Sequence, residues 1–511
     1  MVLSWIDIFI FVAFILVVVS VSIFKSRKKG KTSEDFFLAS RGLTWQIIGI
    51  SLIAANISTE QFVGMSGQGA GLTGLAVASY EWLAAITLVI VAFLFLPKFL
   101  SCGIYTIPEF LEYRYNKSAR TIMAIYMILT YVAVTVSAVI YSGGLTLFTI
   151  FDMDLTMAIW LIGIIAAFYT AWGGLKAVAW ADLFQGGALL LGGVVVLYLS
   201  LNAVGGWGEF MSSNSDKMHM ILPADHSVLP WTALVLGLWI PNFYYWGLNQ
   251  YITQRTLAAK SLKEGQRGIV FAALLKLTIP FIIVIPGIIA GQIYVAEMSN
   301  SDAAYPLLIR HLVPIGLKGF LFAAISGAVI SSLSSMINSA STIFTMDIYN
   351  QYINKEKDDK KNIKIGRIAT VLVVVIGCLI APYLGHPSLK GIFTFIQEFQ
   401  GFISPGVLAA FLFGILVKKA PRESGAVALI LNAVLYSLLL IFFNEIAFLN
   451  RMAISFGVVL AVLTVMTLTM PQKTPVTLPV REDFDMKSSR STVILGSLVI
   501  VATLILYIIF W

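Results

Sequence analysis

Cysteine is almost missing from this chain. Its 511 residues contain Cys102 and Cys378, far apart and lying in or beside apolar segments, which excludes a disulfide framework. Charge is scarce too: Asp, Glu, Lys and Arg make up 12% of the residues, where a soluble domain carries about a quarter. Histidine is limited to His219, His226, His311 and His386, without zinc-ligand spacing. No phosphate-binding loop is present, because Lys25 stands where the first glycine of a motif ending in Gly30-Lys31-Thr32 would have to be. The chain therefore offers no site for ATP to drive work. No nucleophile–base pattern stands out, so an enzyme is excluded as a reading. The N-terminus lacks the basic region of a secretory leader, and its first apolar run, Trp5–Phe24, is too long for one.

What the chain has in abundance is apolar surface: 59% hydrophobic residues and a mean hydropathy of +0.89. Its apolar runs are about 20 residues long, the length of a membrane-spanning helix, whereas barrel strands are about 10. The sequence predicts an all-α polytopic membrane protein with fourteen spans, near 5–24, 44–70, 75–97, 118–150, 155–171, 176–200, 229–252, 267–294, 318–349, 365–385, 389–417, 424–444, 450–470 and 492–511. Lys and Arg collect on cytoplasmic loops. With the N-terminus outside, the cytoplasmic loops hold 28 of the 34 basic residues, and the outer segments hold Lys217, Arg310, Lys318, Lys390 and Arg451. The last, Lys276, falls inside a span. This layout puts both termini on the extracellular or periplasmic side of a plasma (inner) membrane. It also accounts for the net charge of +8 without any nucleic acid.

Two spans are interrupted. The stretch Ile53–Met65 carries Asn56, Ser58, Thr59, Glu60 and Gln61 in the middle of an apolar run. Lipid tolerates such a polar break only where protein or water surrounds it, and broken spans are the best sequence pointer to a transporter's binding site. A second break, Pro241–Gly247, lies five spans later and runs the opposite way through the membrane. Together they imply inverted repeats over 44–200 and 229–417, with one helix before (5–24) and three after (424–511), all in a single membrane domain over 1–511. The stretches Lys355–Lys364 and Pro471–Arg490 are expected to be solvated connectors.

Ionisable residues inside spans are costly, about 2.5–3.5 kcal/mol each at a helix centre. Glu81 and Lys276 are of this kind, and each serves equally well as a helix–helix tie or as a binding group. Asp182 sits near the start of its span, where the positive helix end also favours a carboxylate. Ser331 and Ser332 are common helix glue. A hard monovalent cation, however, needs several oxygen ligands, and hydroxyls with the carbonyls of an unwound helix supply them. Tyr244, Tyr245, Trp246 and Phe393 beside Asn242, Gln397 and Glu398 combine flat apolar faces with polar groups, which suits a polyhydroxylated ring.

These residues fall in long stretches that resemble the sodium/solute symporter family from end to end, and within it the sodium/galactose branch. The stretches are SLIAANIS-EQF-GMSG from Ser51, ASYEW from Ala78, GIYTIPEF from Gly103, WGGLKAV from Trp172, NFYYWG-NQYI-QRTLAAKS from Asn242, SSL-SM-NS from Ser331, TIFTMDIY from Thr342 and FIQEF-G-ISPG from Phe395. The resemblance implies a LeuT-like inverted five-helix repeat and sodium-coupled symport of a hexose, galactose or glucose, by alternating access. It implies sodium ligands at Ala54, Ile57, Ala328, Ser331 and Ser332, with Asp182 on the sodium path. Sugar contacts are implied for Gln61, Glu81, Asn242, Lys276 and Gln397. Tyr245 matches an inner gate, with Met65, Tyr80 and Phe393 on the outer side. One departure is Ala84, where the galactose branch has a serine. The alternative within the family is another small polar solute, such as inositol or sialic acid.

Overall fold

Inside a membrane the backbone has no water to bond, so each long apolar run closes its hydrogen bonds on itself as a helix. The computed structural model describes residues 4–26, 32–57, 60–151, 153–298, 301–354, 358–385 and 392–511. Among them the chain is helical, and its extended pairing is one isolated bridge, Leu43 with Ala259. Ten helices are long and apolar enough to cross a membrane, or up to twelve when two bent pairs each count as one span.

The elements that position the site are α1 (Trp5–Ser26), α2 (Trp45–Asn56), α3 (Ser79–Leu94), α4 (Leu155–Ala203) and α5 (Gln250–Leu257). They continue with α6 (Leu262–Ile293), α7 (Leu317–Ile343), α8 (Ile392–Phe399) and α9 (Ser404–Leu416). Near the C-terminus come α10 (Ser424–Phe442), α11 (Phe448–Thr469) and α12 (Arg490–Ile509). α7 lies along α4, while α6 packs against α2 and α3.

Three interruptions shape this bundle. α2 stops at Asn56, and the helical chain resumes at an angle of 61°. The second bent pair, α8 and the turn after it against α9, meets at 47°. The Pro241–Gly247 region itself stays helical, with wider π turns at Ala233–Gly237 and Tyr244–Leu248 on either side of Trp239–Phe243, and the backbone leaves the helix at Asn249 (φ −86°, ψ 121°) before α5, so the second break falls just after the expected segment. The expected fifth and sixth spans are two helices that follow one another without a gap in α4, separated by a kink at Gly174, where the backbone is not helical. There φ is +57°, and a Cβ would sit 2.6 Å from the Phe36 carbonyl oxygen, so glycine meets both demands.

Close approach places α2 and α4 together. A Cβ on Gly186 would lie 2.9 Å from the Ala54 Cβ, so the bare glycine lets α4 press against the last turn of α2. α1 is tied to the core by its buried Asp7, whose Oδ1 accepts from the Gly316 and Gly319 N–H groups at 2.7 and 2.9 Å. That carboxylate caps the positive end of α7.

Pro471–Arg490 departs from a plain solvated connector. The Arg481 N–H donates to the Ser101 carbonyl at 2.7 Å, the Leu262 N–H donates to the Asp485 carbonyl at 3.0 Å, and Leu478, Phe484 and Met486 pack on the core. Its apolar side chains find a surface that their spacing in sequence does not reveal. Ser58 and Thr59 of the first break, His386, Lys390 and residues 355–357 of the other connector lie outside the described residues, as do the side chains of Glu60 and Phe393.

Candidate functional site

The breaks converge on one cavity. Its walls include Asn56, Gln61, Met65, Tyr80, Glu81, Asn242, Tyr245 and Gln397, joined by Thr135, Tyr251 and Gln400. It encloses about 770 Å³ of empty space, counting what opens to solvent. Four of the five residues expected to touch sugar therefore share a wall, as do three of the four expected gates. Phe393, the fourth gate, is on α8, its side chain outside the described residues.

Lys276 stands behind this wall. It is wholly buried and gives its ammonium protons to Glu81 Oε2 and Asn56 Oδ1, with the charge 4.6 Å from the centre of the Trp246 ring. Burying the pair removes water from both charges, so each depends on the other. Ala84 is also fully buried and off the cavity wall.

Several groups on the wall are buried without a partner in the protein: Asn242 Nδ2, Tyr244 OH and Gln400 Oε1. A buried polar atom left unpaired costs about 1–3 kcal/mol, so a ligand that satisfies three such atoms gains from them. Among the described residues, the lining of the cavity includes no lysine, arginine or histidine.

Asn56 is the residue that the sequence reading left without a role. Its Nδ2 donates to Tyr245 OH at 3.0 Å, and Tyr245 OH accepts in turn from Tyr251 OH at 2.5 Å. One amide thus joins the end of α2, the Glu81–Lys276 pair and the second broken segment. The signal available in the sequence was its place between Ala54 and Ile57, in the last turn before a break.

The five expected cation ligands lie where α2 ends against α7. A helix leaves its last four carbonyls without intrahelical partners. Ile53 is served by the Ile57 N–H at 2.8 Å, and Ile57 itself turns to an extended conformation. On α7, Ala328, Ser331 and Ser332 lie three and four residues apart and so share a face. The Ser332 hydroxyl donates to the Ala55 carbonyl at 3.2 Å, and Ser331 donates to Asp182 Oδ1 at 2.5 Å. Asp182, fully buried, also accepts from Ser51 and from Arg255 Nη2, the latter at 2.9 Å. Arg255 further bonds Ser335 and the Tyr251 carbonyl. Counted from the sequence as a loop charge, it is instead a buried bolt joining α5 to α2, α4 and α7.

Broken helices whose ends meet at a buried polar cavity within an apolar bundle define a membrane carrier, not an enzyme. The model of the sodium:solute symporter family matches residues 36–432. The sodium/glucose cotransporter of Vibrio parahaemolyticus is 42% identical over 542 aligned positions, covering 100% of this chain and 99% of that one. Sodium/myo-inositol cotransporter 2 of Oryctolagus cuniculus is 32% identical, over 84% of this chain and 69% of that one. In fold, the chain is similar to a sodium-coupled sialic acid symporter, with a TM-score of 0.82 at 23% identity over 93% of this chain and 99% of that one. The chain belongs to the sodium:solute symporter family. It is a sodium-coupled solute symporter, and sodium is the ion it co-transports.

Proposed function

We propose that the solute is a hexose, galactose or glucose, carried with sodium by alternating access. The observation that carries this reading is the wall of the cavity: aromatic faces from Tyr80 and Tyr245 beside the amides of Gln61, Asn242 and Gln397, with buried polar atoms still unpaired. A sugar ring offers a C–H face for the first and hydroxyls for the second. The described lining residues include Glu81 and no cation, which favours a neutral polyol over an anionic solute such as sialic acid. The 42% identity to a sodium/glucose cotransporter points the same way.

In this reading, counting Leu155–Phe168 and the broken 231–257 segment as crossings gives fourteen spans, built as two inverted five-helix repeats with both termini outside. Ala54, Ile57, Ala328, Ser331 and Ser332 hold sodium, and Asp182 lies on its way out. Gln61, Glu81, Asn242 and Gln397 bind the sugar, and Lys276 acts on it through Glu81. Tyr245 closes the inner side, while Met65, Tyr80 and Phe393 serve as the outer gate. Sodium at the end of α2 fixes Asn56, and Asn56 holds Tyr245 and the Glu81–Lys276 pair in place.

Two experiments test this. Uptake of labelled galactose should be displaced by unlabelled glucose and galactose more strongly than by myo-inositol or sialic acid; the reverse order rejects the hexose. Replacing Asn56 by alanine should cut the effect of sodium on sugar affinity by about fivefold or more, the lower end of usual coupling strengths. Binding titrations with and without sodium read this directly, and an unchanged sodium effect removes Asn56 from the coupling.

A further inference from the structure

Beyond the repeats, α10 and α11 hold one half of a bent helix pair. The turn between α8 and α9, Gln400–Phe402, is cradled by α10. Asn432 Nδ2 donates to the Gly401 and Phe402 carbonyls at 3.2 and 2.8 Å. The Tyr436 ring lies so close that a Cβ on Gly401 would come within 2.0 Å of it. A break fixed on one side by hydrogen bonds and a ring has the form of a hinge, and α8 is the arm beyond it.

α11 grips that arm. Arg451, in its first turn, is 3% exposed and pairs through Nη2 with Glu398 on α8. Its Nε and Nη1 are buried with no partner. A guanidinium has five donors in a rigid fork, so spare donors let the carboxylate shift along the fork without the pair breaking. Glu398 follows Gln397, which lines both the main cavity and a smaller recess. Tyr80 also lines both, and Phe448, three residues before Arg451 on α11, closes the recess. Tyr80 and Gln397 are therefore the wall that recess and cavity share.

We propose that Arg451 is a positioning residue for the outer gate: through Glu398 it holds α8, and with it Gln397, in the wall that separates recess from cavity. This rests on reading the cavity as the sugar site and the recess as its outer approach. It gives α11, which lies outside both repeats, a part in transport.

The test is the rate at which a charged, membrane-impermeant thiol reagent reaches the cavity from the outer face of sealed vesicles. The full-length chain carries Cys102→Ser and Cys378→Ser, with Thr135→Cys on the cavity wall as the reporter. In sodium without sugar, the double variant Glu398→Gln/Arg451→Gln removes both charges and leaves no lone buried ion. Labelling should accelerate at least about fivefold, the lower end of usual coupling strengths. Glu398→Asp keeps both charges but shortens the reach, and should accelerate labelling to a smaller degree; it also carries the test if the double variant does not fold. Arg451→Lys, which keeps the charge on Glu398 paired, should stay nearer the parent rate than the double variant. An unchanged or slower rate in the charge-removed and shortened variants overturns the proposal. Failure of galactose to protect the reporter in the parent would count against the hexose reading and leave this comparison, made without sugar, intact.

Discussion

Glu81→Ala is expected to abolish sugar uptake and to destabilise the protein. The variant leaves the wholly buried Lys276 ammonium with Asn56 as its remaining hydrogen-bond partner. Removing one partner of a buried pair costs about 3–5 kcal/mol, because the other charge is left uncompensated. Thermal unfolding in detergent should show the loss. Replacing both residues at once, as Glu81→Gln/Lys276→Met, removes both charges and should restore most of the stability. It should not restore sugar binding, since the charge-assisted acceptor on the cavity wall is gone. If uptake returns with stability, the pair is a helix tie and Glu81 does not bind the sugar.

Ser332→Ala should weaken sodium and spare the sugar site. The hydroxyl lies against the exposed carbonyls at the end of α2, reaching the Ala55 oxygen at 3.2 Å. A hydrogen-bond group facing a charge is worth about 1.5–3 kcal/mol, so the sodium concentration for half-maximal uptake should rise roughly ten- to a hundredfold. Sugar affinity at saturating sodium should change little. A variant with normal expression and unaltered sodium dependence would remove Ser332 from the cation site.

The parts of this molecule that were legible in the sequence are those where local chemistry conflicts with a membrane. Polar residues at Asn56–Gln61 sit in a run that should be apolar, and Asn56 and Gln61 line the cavity at a break; the Pro241–Gly247 segment lines it too, although the backbone there stays helical until Asn249. Lys276 lies too deep in its span to reach water, and it is fully buried. The features that escaped depend on partners far away in the chain. Arg451 counted as an outer-loop charge because nothing near it announces Glu398, 53 residues earlier. Arg255 looked cytoplasmic because Ser51, Asp182 and Ser335 are brought to it by three other elements. The glycine pair Gly173-Gly174, by contrast, reads as a break between spans, and the backbone does leave the helical conformation at Gly174. Lys276 itself illustrates the limit: its depth is written locally, whereas its place behind Glu81 follows from how α6 packs on α3.

Accumulation against a gradient tests the central claim most directly. The purified full-length chain in proteoliposomes, with sodium outside and the interior about 100 mV negative, should concentrate labelled galactose. One positive charge moving down that potential supplies about 2.3 kcal/mol, enough for roughly a fifty-fold ratio before the sodium gradient adds to it. Replacing external sodium with potassium should abolish accumulation, and collapsing the potential should reduce it. Galactose that merely equilibrates, at the same level in sodium and in potassium, would contradict the account.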